Sequence, residues 1–110
     1  MNDDQMDALF HALAHGERRR MLDIVKRDPG CCVNDVAAHF DISRIAVMKH
    51  LGVLEAARLL LSEKVGRQRR LYFNAVPIQL IHDRWTTEFS AHWAGQLTQL
   101  KYRLENRGKP

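Results

Sequence analysis

The chain has 110 residues, of which 45% are hydrophobic and 27% charged, so it is long enough for one modest core and has a globular composition. No apolar run approaches the roughly 20 residues of a membrane-spanning helix, and the acidic, polar residues 1–5 are unlike a secretory signal. Two adjacent cysteines form no disulfide framework, which favours a reducing, cytoplasmic setting. We expect a single domain over residues 1–110.

The excess positive charge of the chain, +4 at neutral pH, lies in one third of its length. Residues 41–74 contain seven of the 17 Lys and Arg but only three of the 13 Asp and Glu, so the remaining residues are balanced. A localised basic segment indicates an anionic partner bound at one place. The alternative interpretation is an ordinary solvated basic face.

The first part of the chain has helical periodicity. Apolar residues recur every three to four positions over residues 3–14 and again over 17–27, and a turn signal at 28–30 ends the second stretch. A short third helix is expected within residues 33–40, with Asn34 or the residue before it as its N-cap.

A tight turn then leads to a fourth helix, expected over about residues 43–57. Ser43 is well placed to cap its N-terminus. Val47, Leu51 and Leu54 follow at helical spacing and predict one buried stripe on this helix. Other residues of the helix are expected on its outward side.

The pattern changes after the fourth helix. Strand-like sequence on either side of Gly66 predicts a β-hairpin over about residues 59–74, and Gly66 supplies the positive φ that a tight turn requires. A final helix is expected over residues 77–105, with Pro77 near its start. The predicted fold is mainly α with one β-hairpin, a winged helix-turn-helix in the order α-α-α-α-β-β-α.

This order of elements favours DNA binding. The fourth helix fits the major groove, where Arg44 and Lys49 would reach base edges and Ile45 and Met48 would meet thymine methyl groups. The hairpin, hereafter the wing, would contact phosphates or a narrow minor groove. An amphipathic surface helix with incidental cations and a basic, solubilising hairpin edge are the alternatives. The expected DNA-contacting residues are Ser43, Arg44, Ile45, Ala46, Met48, Lys49, His50, Arg67, Gln68, Arg69 and Arg70.

Three motifs resemble those of ArsR-type repressors. Residues 12–19 read ALAHGERR, and Met21-Leu22 follow. Together they resemble the family's "ALAdptRrxIL" opening. Residues 43–54 read SRIAVMKHLGVL and resemble the recognition-helix signature S-x-x-x-V-S-x-H-L-x-x-L. Residues 66–72 read GRQRRLY and resemble the family's wing. The resemblance covers roughly residues 6–105.

The resemblance implies a homodimer, built on the first and last helices, that represses its own operon by binding double-stranded DNA. The apolarity of both helices independently favours such a dimer, because eight large apolar residues between Ile78 and Leu104 exceed the needs of one small core. The aromatic series at Trp85 resembles the non-metal-sensing subgroup whose genes often neighbour START-like domains. The expected interface residues are Met6, Leu9, Phe10, Leu13, Trp85, Phe89, Trp93, Leu97, Leu100 and Leu104.

Two positions depart from the family pattern. Arg58 stands where the family usually has Gly after the recognition helix, and Asp41 stands where it often has Gly in the preceding turn. Asp tolerates a left-handed backbone, whereas Arg in that conformation would cost ~1–2 kcal/mol. Neither change argues against DNA binding.

Cys31 and Cys32 are candidates for sensing metal or redox state. Alignment on the metal-sensing members of the family places Cys32 on the first Cys of their Cys-x-Cys pair but Asn34 on the second, and Trp85 replaces a ligand on the last helix. Three or four converging zinc ligands are not found. Small, partly buried residues at a helix start are the favoured interpretation, and no metal or cofactor is expected.

The six histidines form no recognisable catalytic pattern, so the sequence predicts a protein that is not an enzyme. Two other functions stay open. The aromatic last helix could bind a protein partner without any DNA contact. Alternatively, an unidentified small effector could occupy a cleft near Trp85 and Trp93.

Overall fold

The structure is a computed structural model that describes residues 1–86 and 91–107, and at positions 91 and 92 it describes the backbone alone. The chain divides into two units, residues 1–80 and residues 81–110. The described elements are, in chain order, α1 (Asp3–Leu13), α2 (Gly16–Arg27), β1 (Cys31–Cys32), α3 (Val33–Ala37), α4 (Arg44–Ala56), β2 (Leu60–Val65), β3 (Gln68–Phe73), α5 (Val76–Thr86) and α6 (Ala91–Glu105).

Capping side chains fix where α1 and α4 begin. Asn2 Oδ1 accepts from the Gln5 N–H at 2.8 Å, and Gln5 Oε1 accepts from the Asn2 N–H at 2.9 Å, which forms a capping box. Ser43 Oγ accepts from the Ala46 N–H at 3.1 Å and caps α4 as predicted. The fourth helix therefore starts at the residue that the sequence indicated.

The sheet contains a third strand that the sequence pattern did not predict. It has the order β1-β3-β2 with antiparallel pairing, and Cys31 of β1 lies opposite Leu71. A strand of two residues is too short to show alternation. Cys32 ends this strand and caps α3, since its N–H donates to the Asp35 carboxylate at 2.9 Å. The predicted cap, Asn34 or the residue before it, is therefore wrong.

The first unit has one core, to which α1–α4 and the sheet contribute. Leu9 is only 1% exposed and packs in this core, so it leaves the set of residues expected at a dimer interface. Val47, Leu51 and Leu54 form the buried stripe of α4 as predicted. The buried apolar residues are Leu9, Ala12, Met21, Leu22, Ile24, Val25, Cys31, Val36, Val47, Leu51, Leu54, Leu59, Leu60 and Leu71.

In the second unit, α6 presents an apolar stripe to solvent. Trp93, Leu97, Leu100 and Leu104 recur at helical spacing and are 41–57% exposed. The predicted helix over residues 77–105 is helical in α5 and α6, whereas its continuity and Phe89 lie outside the described residues. No helix among residues 1–86 and 91–107 is long and apolar enough to cross a membrane.

Candidate nucleic-acid interface

The outward face of α4 carries the side chains that the sequence assigned to DNA. Ile45 is 68% exposed and Met48 48% exposed, and Arg44 and Lys49 are also exposed, while Ala46 is half-buried. The buried stripe fixes the rotation of the helix, because turning it would bring apolar core residues into water. This face therefore combines two cations with apolar side chains that are exposed to solvent.

Arg44, in the first turn of α4, is held by hydrogen bonds. Its Nε–H donates to Asn34 Oδ1 at 2.9 Å, and its Nη1 lies 3.5 Å from Met48 Sδ. Asn34 belongs to α3, the helix that precedes the turn, and no sequence pattern indicated it as a functional residue. Asn34 and Arg44 are ten positions apart in sequence, which exceeds the three- or four-residue spacing of helix neighbours. Helical periodicity therefore could not predict their contact.

His50 is turned toward α2 rather than presented with the DNA-facing residues. Its Nε2 lies 3.2 Å from Glu17 Oε2, and its Nδ1 lies 3.3 Å from Arg18 Nη1. The expectation that His50 contacts DNA is corrected, because both ring nitrogens already have partners within the chain. Glu17 and His50 are 33 positions apart in sequence, so no local pattern pairs them.

Arg18 joins three elements at the back of α4. It is 7% exposed, and it donates from Nε to the Ala12 carbonyl at 2.8 Å and from Nη2 to the His11 carbonyl at 2.9 Å. These carbonyls lie in the last turn of α1, where helical carbonyls lack i+4 partners, although the His11 carbonyl also accepts from the Ala14 N–H at 3.3 Å. Arg18 thus supplies hydrogen-bond donors to two carbonyls at the end of α1, and the same guanidinium orients His50 of α4.

One group of three potential metal ligands occurs in the described part of the chain. Donor atoms of His15, Glu17 and His50 lie within 4.8 Å of one another. A metal-bound histidine usually donates its second ring N–H to an acceptor, but the second nitrogen of His50 faces the Arg18 guanidinium. This neighbour disfavours a bound cation, and we do not assign a metal site.

The wing has a tight tip and two kinds of arginine. Val65 lies opposite Gln68, and Gly66 at the tip has φ +62°, as the sequence predicted. The side chains of Arg67 and Arg70 are exposed and make no hydrogen bond or ion pair with a residue that the structure describes. Gln68 is exposed beside them.

Arg69, unlike Arg67 and Arg70, is tied to α4. Its Nη1 donates to Ser62 Oγ at 2.8 Å and lies 3.8 Å from Glu55 Oε1. Ser62 in turn donates to the Glu55 carboxylate. This network connects the last turns of α4 to the first strand of the wing.

Arg58 joins α4 to the wing in a left-handed conformation. Its φ is +62°, the positive value expected from the family's glycine, and no other non-glycine residue in the described ranges has one. Its N–H donates to the Glu55 carbonyl at 2.9 Å, and the Leu59 N–H donates to the Leu54 carbonyl at 3.0 Å. These two bonds form a Schellman motif. Asp41, the second departure, does not have a positive φ.

The environments of the two cysteines favour a structural role for both residues. Cys31 is buried, and burial, reinforced by the Asp28 and Asp35 carboxylates, raises the pKa of its thiol. Cys32 donates from its N–H and its thiol to Asp35, and these bonds lower the pKa of the Asp35 carboxyl. A raised thiol pKa disfavours the reactive thiolate.

A cleft of about 520 Å³ lies in the first unit, between the start of α1 and the end of α4. Leu9, Ala57, Arg58, Pro77 and Leu80 are among its lining residues. The effector site predicted from the sequence lies near Trp85 and Trp93, which do not line this cleft. An effector site at those tryptophans stays a prediction.

The short helix α3, the turn, the exposed helix α4 and the basic hairpin together define a winged helix-turn-helix DNA-binding protein. Residues 13–63 match the family described as a helix-turn-helix domain. The chain is 33% identical over 85 residues to the uncharacterized HTH-type transcriptional regulator YuzN of Bacillus subtilis (strain 168), which covers 72% of this chain and 92% of that protein. It is 31% identical over 62 residues to the transcriptional repressor SdpR of the same organism, covering 56% of this chain and 68% of SdpR.

Among solved structures, an ArsR-like transcriptional regulator from Rhodococcus sp. RHA1 superposes with a TM-score of 0.69 at 27% identity. The alignment covers 94% of this chain and 93% of that one. The chain belongs to the ArsR-type family of winged helix-turn-helix transcriptional regulators. The family and fold inferred from the three sequence motifs are therefore confirmed, and DNA binding for transcriptional regulation is the function of this class.

Proposed function

We propose that the chain is a homodimeric repressor of its own operon and that it is not an enzyme. The observation that carries the proposal is the outward face of α4, where Arg44 and Lys49 flank the exposed Ile45 and Met48. Exposed apolar side chains gain a role in a major groove, where they contact thymine methyl groups. The similarity to a relative named as a repressor supports repression.

The proposed DNA surface combines base-reading and phosphate-binding residues. On α4, the N-terminal turn approaches base edges, and on the wing the cations follow the phosphate backbone. His50 is left out because it is turned toward α2 and both of its ring nitrogens have partners there, whereas Arg44 and Arg69 keep further N–H donors. The proposed contacts are Ser43, Arg44, Ile45, Ala46, Met48 and Lys49 on α4, and Arg67, Gln68, Arg69 and Arg70 on the wing.

The apolar surfaces of α1, α5 and α6 support the proposed dimer. Phe10 is 47% exposed and Trp85 58% exposed, and the α6 stripe is also open to solvent. A two-fold interface would remove these surfaces from water and set two recognition helices about one DNA turn, ~34 Å, apart. The proposed interface residues are Met6, Phe10, Leu13, Trp85, Phe89, Trp93, Leu97, Leu100 and Leu104.

DNA binding is tested by fluorescence anisotropy with a labelled duplex from upstream of the chain's own gene and a scrambled duplex. We expect the upstream duplex to bind at least about a thousandfold more tightly at physiological salt. Arg44→Ala combined with Lys49→Ala should remove most of this preference, whereas Lys101→Ala, which removes one cation from α6, is the control. Equal affinity for both duplexes would contradict the proposed operator.

The dimer is tested by sedimentation at micromolar concentration. Leu97→Asp combined with Leu100→Asp should yield monomers, since a C2 interface would place each carboxylate against apolar surface. Thr98→Asp, which adds one such charge to a different face of α6, should leave the dimer intact. A wild-type monomer under these conditions would overturn the proposal.

We also propose that the chain belongs to the members of the family that do not sense metals. The support is that Cys32 caps α3 and that Asn34 bonds Arg44, so neither position offers a free ligand. Titration with Zn²⁺ should leave the affinity for the upstream duplex unchanged. A zinc-dependent loss of affinity that Cys32→Ser abolishes would refute this assignment.

A further inference from the structure

We infer that Asn34 is a positioning residue for base recognition: it holds the Arg44 guanidinium for end-on contact with a guanine. The inference rests on the proposed DNA-contacting face of α4. Asn34 would then set specificity through Arg44, from a helix that is not itself the recognition helix.

The geometry restrains the guanidinium on two sides. Asn34 Oδ1 accepts from Arg44 Nε at 2.9 Å, and Met48 Sδ lies 3.5 Å from Nη1 of the same side chain. All three side chains are exposed, so this arrangement is not forced by burial. It places a braced arginine in the first turn of α4, the part of a recognition helix that approaches base edges.

The chemistry of arginine determines what remains available. A guanidinium has five N–H donors, and the bond to Asn34 uses the single N–H at Nε. The two terminal nitrogens are left as a fork, because the Met48 thioether is a weak acceptor that a better one displaces. Such a fork matches the O6 and N7 acceptors of guanine, and a side-on approach through Nε is blocked.

Restraint of the Arg44 side chain before DNA binds also reduces the entropic cost of recognition. Arginine has one of the largest side-chain conformational entropies, and part of that entropy is already lost while Asn34 holds Nε. An unrestrained guanidinium would turn to a phosphate as readily as to a base. The contact with Asn34 therefore favours sequence discrimination over general affinity.

The experiment uses the full chain and a duplex that the wild-type protein selects from a randomised pool. Each guanine is replaced in turn by 7-deazaguanine, which lacks the N7 acceptor. For the wild type, one guanine in each half-site should show a loss of affinity of about tenfold. For Arg44→Ala, the same substitution should have no effect.

Two variants of similar size separate the role of the acceptor. Asn34→Leu removes the acceptor, and its 7-deazaguanine effect should fall to about threefold or less. Asn34→Asp keeps an oxygen for Nε and should retain the wild-type effect. Denaturant midpoints of the exposed-site variants are measured to establish that each is folded.

A double-mutant cycle with Arg44→Ala tests whether Asn34 acts through Arg44. Asn34→Leu should have no further effect once Arg44 is gone, and a persisting loss would make Asn34 a direct DNA contact and overturn the inference. A wild-type 7-deazaguanine effect in Asn34→Leu would overturn it while DNA binding stands. If the wild type does not prefer the selected duplex over a scrambled one, the proposed function fails as well.

Discussion

The recognition helix and the wing both present arginines to solvent, but they hold them differently. On α4, Ser43 caps the helix and Asn34 holds the Arg44 guanidinium. At the wing tip, the Arg67 and Arg70 side chains have no hydrogen-bond or ion-pair partner in the described part of the chain. A side chain with a fixed direction can distinguish base edges, whereas an unrestrained cation responds mainly to phosphate charge. The comparison predicts specificity from α4 and general affinity from the wing.

Replacing Arg44 tests the specific side of this comparison and has the largest expected effect. Arg44→Ala should weaken operator binding by ~1–3 kcal/mol and change binding to random DNA little, because a bidentate guanine contact is lost. Titrations against operator and scrambled duplex at several salt concentrations measure both. Equal weakening on the two duplexes would mean that Arg44 binds a phosphate and would contradict base reading by α4.

Replacing a wing-tip arginine tests whether the wing supplies general affinity through phosphate contacts. Arg67→Ala or Arg70→Ala should weaken operator and scrambled binding alike and lower the salt slope by about one, as expected for one lost phosphate contact. The affinities at several salt concentrations give the slope, and Arg107→Ala is a control outside the wing. A loss restricted to the operator would assign base reading to the wing tip, through a narrow minor groove.

Several structural features of the recognition helix and the wing could be predicted from local sequence signals. Ser43 caps α4, Gly66 turns the wing, and the left-handed conformation of Arg58 follows from the glycine that the family has there. Each of these features depends on neighbours within a few residues. Local signals of this kind fix element type and often the element's first residue.

The features that the sequence did not reveal depend on contacts between distant residues. Asn34 meets Arg44, Glu17 meets His50, and β1 forms only because β3 pairs with it. The burial of Leu9 has the same origin, since an apolar helix position does not state whether its own core or a second subunit covers it. Periodicity carries no information about such partners.

Arg58, between the two regions, gives a smaller effect on stability. Arg58→Gly should raise the free energy of unfolding by about 1 kcal/mol, because relief of ~1–2 kcal/mol of left-handed strain exceeds glycine's added entropy in the unfolded chain. Denaturant midpoints at one protein concentration measure this change. Arg58→Ala keeps the strain and should not gain stability. An unchanged or lower midpoint for the glycine variant would contradict a strained helix end.

Glu55, which connects the two regions through Ser62 and Arg69, has the smallest expected effect. Its carboxylate lies 3.8 Å from Arg69 Nη1, and the two side chains are 42% and 56% exposed, so solvent screens the pair. Glu55→Gln should therefore change the free energy of unfolding by less than about 0.5 kcal/mol. Gln keeps an oxygen that accepts from Ser62.

The same variant should tighten DNA binding, because it removes a negative charge near a DNA-facing arginine. We expect a gain of about two- to threefold on operator and scrambled duplex alike, falling as salt screens the charge. Anisotropy titrations at low and high salt measure it, and Glu105→Gln on α6 is the matched control. If Glu55→Gln instead lost discrimination between the duplexes, Arg69 would be a directed base reader like Arg44, and base recognition would extend from α4 into the wing.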